Sequence, residues 1–316
     1  MRPIEFVAEI GFAATRTSIR RLSMQARRFR FVTACAVVAL AALLADAAPV
    51  HAARVGVLSN NKENETAADF NAKIAGHTFT AVDVSASTPS LVTLTANYDV
   101  LLLFEELTFS NATSVGNVVA SFANTGRPVV LGTFYDQDRS DGSPLFNPNG
   151  WGALETIDPN TTDGVGTPYT ARSLDAASIV AHPLTAGVST LTSAGFAGGN
   201  QAKPGSIVVA NWVQKNAKGN ADPAIAYRLT GAACVIHVAI APHYPTVAPT
   251  EFGGDFYRVW RNAFDFGAGG CKLSGGTTIP GSDAVAIPTL SAAALLLTAL
   301  LIAAAGGIAH RRSRRS

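Results

Sequence analysis

Apolar residues in this chain fall in short runs, separated by polar joints rich in glycine, proline and asparagine, and the period within each run names its element. Arg54-Val55-Gly56-Val57-Leu58-Ser59 has the length and β-branched character of a strand. After it, Ala67, Phe70 and Ile74 repeat at helical spacing, and Gly76 stands where that helix closes, at C′. Residues 79–84 read as a second strand. Residues 98–104 read as a third, continuously apolar from Val100 to Phe104 as burial on both faces demands. Ser110 or Asn111 caps a helix whose Val115, Val118, Val119 and Phe122 lie on one face, and Gly126 ends it. Residues 128–134 form a fourth strand. Residues 136–169, dense in Gly, Pro, Asn and Asp, read as an elaborated excursion. Further strands are expected at 206–212, 224–229 and 233–241. Phe256, Val259, Trp260, Ala263 and Phe264 predict a final amphipathic helix ending at Gly267. Strands alternating with helices over short links predict right-handed crossovers, hence an α/β fold with a mainly parallel sheet and helices on both faces.

Both ends of the chain depart from this pattern. Arg27, Arg28 and Arg30 precede an apolar stretch at 31–45, and small residues follow up to Val50-His51-Ala52-Ala53. This is the three-part pattern of a secretory signal peptide, with cleavage expected between Ala52 and Ala53. Residues 1–52 make a long signal, and a start at Met24 gives one of ordinary length. At the other end, residues 290–309 carry no charge and span about 30 Å as a helix. Arg311, Arg312, Arg314 and Arg315 follow, while the nearest basic residue before the run is Lys272. That asymmetry predicts a transmembrane helix with its arginine end in the cytoplasm and the body outside it. Residues 271–286, rich in Ser, Gly and Thr, read as a flexible linker between a domain at 53–270 and a tail at 287–316.

The tail opens with Ile287-Pro288-Thr289-Leu290-Ser291 ahead of the apolar helix and the arginines. In this order it resembles the IPTL-CTERM sorting signal of Gram-negative bacteria, a relative of the PEP-CTERM signals. Ala292-Ala293-Ala294 replaces that signal's usual Glu-Trp-Gly continuation. The resemblance implies export through the secretion translocon, signal-peptidase processing and retention in the inner membrane. It further implies handling by an exosortase-like enzyme, with the outer surface as a destination. A plain membrane anchor is the other reading. The body, through the 98–104 and 129–134 strands, the His182-Pro183-Leu184-Thr185-Ala186-Gly187 turn and the closing Arg261-Asn262-Ala263 helix, resembles the flavodoxin-like sheet of class I glutamine amidotransferase-like and ThuA-like proteins.

Charge narrows the partners. Seven of the 24 basic residues lie in 1–52 and four in the tail. The body is left with 13 basic against 19 acidic side chains, which offers no electrostatic case for nucleic acid. Cys234 and Cys271 remain after signal removal. A disulfide between them and two separate buried thiols are both open readings, and no CxxC spacing suggests a metal.

In an open parallel sheet, ligands bind beyond the carboxyl ends of the strands. Ser59, Asn60, Glu105, Glu106, Tyr135, Asp136 and His243 fall at such ends. The amidotransferase chemistry implied by the resemblance needs a nucleophile on the turn after the fourth strand, but that turn is Gly132-Thr133-Phe134-Tyr135, with no cysteine or serine. His243 matches the family histidine, and Pro245 stands where its acid would follow. The expectation is therefore a binding domain for a small molecule or an envelope component, without a cofactor and without catalysis. Two alternatives stand beside it: a hydrolase using Glu105, Asp136 and His243, and a structural matrix protein. Asp136, Asp138 and Asp141 crowd one loop but fit a calcium-loop spacing poorly. His237 reads as a satisfied core histidine.

Overall fold

The computed structural model describes residues 52–107, 109–135, 150–162, 171–195 and 197–273, all within the unit Val50–Ser282. The chain enters through β1 (Arg54–Ser59), crosses by α1 (Glu63–Lys73) to β2 (Thr78–Asp83), and returns by α2 (Leu91–Asn97) to β3 (Val100–Leu103). Helix α3 (Ala112–Asn124) leads to β4 (Val129–Gly132). Short strands β5 (Asn160–Thr162), β6 (Arg172–Ser173), β7 (Leu191–Ser193) and β8 (Asn200–Ala202) come next. Then follow β9 (Ile207–Trp212), β10 (Asp222–Thr230), β11 (Ala233–Val238), α4 (Tyr244–Val247), β12 (Phe252–Gly254) and α5 (Phe256–Ala268).

The main sheet has the order β2-β1-β3-β4-β11-β10-β9. Its first five strands are parallel, and β10 and β9 extend it antiparallel. The reversal has a local cause. Only Gly231 and Ala232 separate β10 from β11, and a two-residue hairpin joins antiparallel neighbours only. Gly231 supplies the positive φ, 58°, that such a turn needs. There are two smaller sheets, β12-β7-β6 and β5-β8, and β5 is part of the excursion.

Alternate residues of the parallel strands feed two cores. Val55, Val57, Leu102, Val130 and Ile236 pack with Phe70 of α1 and with Trp260 and Phe264 of α5. Leu58, Leu101, Leu103, Val129, Leu131 and Val235 pack with Leu94 of α2 and with Val119 and Phe122 of α3. This is why β3 and β4 are continuously apolar and wholly buried.

Several sequence expectations change. Helix α2 occupies a stretch that read as a link, because Leu94 alone of its residues is buried and makes no visible stripe. Its N-cap signal is Ser90, whose side chain accepts from the Thr93 N–H at 3.1 Å. Helix α1 closes at Ile74, and Gly76 shapes the turn beyond it. Asn111 is the N-cap of α3, yet its amide donates to the Val84 carbonyl and Thr88 hydroxyl instead of capping. Gly267 lies inside α5, where a Cβ would sit 3.1 Å from the Pro128 ring, and Gly269 is the cap. The strand expected at 128–134 stops at Gly132: Thr133 N–H turns to the Ile240 carbonyl and Phe134 N–H to that of Glu105.

The entry and exit of the body are anchored. Ala53, 4% exposed, donates its N–H to His77 Nδ1 at 3.3 Å, so His77 Nε2–H donates to Asp265 of α5 at 3.1 Å. Cys234 of β11 and Cys271, just past α5, form a disulfide. Among the described residues no helix is long and apolar enough to cross a membrane. The signal segment at 1–51, the linker beyond 273, the apolar run at 290–309 and Asp136, Asp138 and Asp141 lie outside the described residues.

Asp255, before α5, accepts from the N–H groups of Ser189 and Thr190 at 2.8 and 3.1 Å and from the Ser189 hydroxyl. The Ser189 N–H, with these partners and Arg258, holds its carboxyl below the usual range. A depressed folded pKa means stability present above the unfolded value and lost as pH falls through the folded one. Asp255→Asn is therefore expected to unfold earlier than the parent at neutral pH, with the gap closing on acidification below about pH 4. Urea titrations at pH 7 and pH 3 measure it.

Candidate functional site

The connection after β1 runs outward to β2, and the connection after β3 runs the other way to β4. The sheet thus has its switch point between β1 and β3, where a doubly wound fold opens its crevice. Asn60, just after β1, laces this mouth. Its Oδ1 accepts from the Glu106 and Leu107 N–H groups at 3.3 and 3.2 Å, and its Nδ2 donates to the Leu107 carbonyl. One side chain therefore satisfies three backbone groups of the β3 loop, and it fixes where Glu106 points.

His243 arrives from the loop after β11. Pro242 rests on the end of β4, and only a glycine at 132 permits this, since a Cβ there would lie 2.9 Å from Pro242 Cδ. The imidazole stacks on Phe104, centroids 5.3 Å apart, and is 1% exposed. Its Nε2 meets Glu106 Oε2 at 2.6 Å, so Nε2 carries the proton and donates it to the carboxylate. Nδ1 is buried with no hydrogen-bond partner among the described residues. The side chain of Glu106 is 22% exposed and is the member of the pair that faces water.

The sequence-level candidates are now placed. Glu105 is buried, and its carbonyl accepts from Phe134 N–H. The carboxylate on His243 is Glu106, two residues after the Phe104 on which the imidazole stacks. Ser59 is turned inward, donating to the Asn61 carbonyl at 2.8 Å. Tyr135 is buried and donates to Asp158 at 2.7 Å. His237 accepts at Nδ1 from the Asn160 amide at 2.7 Å. The missed element is the Glu106–His243 pairing. The period-two alternation from Phe104 was the available signal, but no sequence rule says that the β11 loop returns over β3.

Electrostatics make this edge acidic. Glu63, in the first turn of α1, is 7% exposed, and burial pushes its carboxyl up, with Asp83 and Glu65 adding to the rise. Lys62 is held by Glu65 at 3.2 Å. The N-terminus of α1 carries its own carboxylates and is not arranged to receive an anion. Among the described residues no group of three or more His, Cys, Asp or Glu could hold a metal ion.

Residues 285–312 match the IPTL-CTERM motif. The match includes Ile287, Pro288, Thr289, Leu290 and Ser291, all outside the described residues. As a sorting signal, the IPTL-CTERM motif implies an exported, membrane-associated protein handled by an exosortase-like system. No curated protein is similar to the chain in sequence. Among solved structures, a ThuA-like protein from Bacteroides uniformis is 12% identical with a TM-score of 0.43, over 70% of this chain and 93% of that one. Agd3, described as a novel carbohydrate deacetylase, is 13% identical with a TM-score of 0.36, over 68% of this chain and 32% of that one. At these scores neither likeness bears on what the crevice does.

Proposed function

We propose that the IPTL-CTERM tail carries a flavodoxin-like binding domain to the cell envelope, and that the domain takes a small neutral or cationic ligand at Glu106 without transforming it. In this reading the signal is cut between Ala52 and Ala53. The tail helix first holds the protein in the inner membrane and is then processed for transfer outward. The observation that carries the binding reading is the burial of His243. A general base must reach the proton it takes. This imidazole has spent Nε2 on Glu106 and has Nδ1 enclosed. Glu106, oriented by His243 and Asn60, is left as the group a ligand meets.

Glucosamine, glucose and glucuronate are suitable probes. Thermal-shift titration is expected to show stabilisation by the first two and none by glucuronate, with Glu106→Gln losing at least about tenfold in affinity. Equal shifts in the parent and the variant would remove Glu106 from the site. A hydrolase is the second reading, favoured by the 2.6 Å contact between histidine and acid. It requires ester hydrolysis by the parent that falls about a hundredfold or more in His243→Ala. The binding reading expects no such difference.

A further inference from the structure

Where the end of the excursion meets the segment after β8, an amine and a carboxyl are held in contact and largely out of water. The β5–β8 ladder aligns Asn160 with Ala202, and the Lys203 N–H donates to the Pro159 carbonyl at 2.9 Å. Two segments 45 residues apart are thereby locked side by side. Lys203 Nζ contacts Asp158 Oδ1 and the Glu155 carbonyl. The Asp158 side chain is 1% exposed and that of Lys203 is 12% exposed. Tyr135 Oη donates to the other carboxylate oxygen, Oδ2, at 2.7 Å. Trp151 stacks on Tyr135 at 5.3 Å, and buried Leu154 and Ile157 belong to the same core cluster. Arg228 donates to backbone here, to the Thr156 and Asp158 carbonyls.

Burial disfavours both charges of such a pair, and moving one proton from ammonium to carboxylate removes both at once. What results is an amine nucleophile against a carboxylic acid, fixed in contact, where effective molarities are very high. We propose that Lys203 and Asp158 condense into an intramolecular isopeptide bond. The Nζ lone pair attacks Asp158 Cγ and an Nζ–Cγ bond forms. The Cγ–Oδ2 bond breaks, and Oδ2 leaves as water with the acid proton and one proton from Nζ. No oxidant, reductant or other reactant enters. The Tyr135 hydroxyl sits on the leaving oxygen and relays the proton to it. The one remaining N–H of the new amide keeps the Glu155 carbonyl as its acceptor. The bond ties the excursion to the segment that follows β8, a covalent link suited to a protein that works outside the cell's repair systems.

The test is peptide mapping of the full-length chain, expressed with its own signal, reduced, digested and read by tandem mass spectrometry. The expected product is a branched peptide joining the Asp158 and Lys203 segments, lighter than their sum by one water. Lys203→Arg should give two separate linear peptides. In a pulse-chase, Tyr135→Phe should slow branching by at least about tenfold. Only linear peptides from the parent protein would overturn the proposal, and this result stands even where a variant fails to fold.

Discussion

Removing the disulfide between Cys234 and Cys271 is expected to lower the unfolding free energy by about 4 kcal/mol. That figure follows from closing a loop of 37 residues in the unfolded chain, because the cross-link mainly restricts the denatured ensemble. The position of the bond sharpens the expectation. Cys234 is the second residue of β11, the strand that joins the parallel and antiparallel parts of the sheet, and Cys271 follows the last turn of α5. With the bond intact, α5 is held at its exit as well as by its buried face of Phe256, Trp260 and Phe264. Guanidinium titrations of the oxidised protein, the reduced protein and the Cys234→Ala/Cys271→Ala variant measure the loss. Reduced and double-alanine forms should agree, and a change below about 1 kcal/mol in both would show that the bond adds nothing to a helix already held by packing.

Asp222→Ala should cost about 3–5 kcal/mol, because it strands a buried guanidinium. Asp222 is fully buried, and its carboxylate takes Arg172 Nε at 3.3 Å and the N–H groups of Gly199 and Asn200 at 2.7 and 3.0 Å. A Cβ on Gly198 would press against both members of the pair, and its φ of 79° needs glycine as well. Burial raises the Asp222 carboxyl above its ordinary value despite these partners. The linkage sign is therefore the reverse of that at Asp255. Here the folded protein binds the proton more tightly, so the parent loses stability as pH rises from the ordinary aspartate value through the raised one. Asp222→Asn removes the titration and should flatten that slope. Unfolding titrations of the parent and both variants between pH 4 and pH 8 test cost and sign together.

The signals that were legible early share a physical origin. Continuous apolar runs at β1, β3 and β4 report burial on two faces, and a period near 3.6 in α3 and α5 reports burial on one. These are local consequences of where water is, so they survive without knowledge of the fold. Helix α2 and the three-residue strands β5, β7, β8 and β12 escaped because they bury too few side chains to imprint a period. Their existence depends on what packs against them. The pairing of Glu106 with His243 escaped for a different reason. Glu106 and Glu105 are chemically identical neighbours in the sequence, and the path of the chain just past β3 decides which one faces the imidazole.

By itself, the sequence determined that this chain carries an IPTL-CTERM sorting signal, which implies export and membrane association, through an uncharged run behind an Ile-Pro-Thr-Leu-Ser opening. It also determined that its body is α/β, because hydrophobic period is set residue by residue. Only the tertiary structure decided that His243 meets Glu106, that Lys203 meets Asp158 and that Arg172 meets Asp222. Each of these pairs joins segments far apart in the chain, and their meeting depends on strand order and register, which no local pattern encodes.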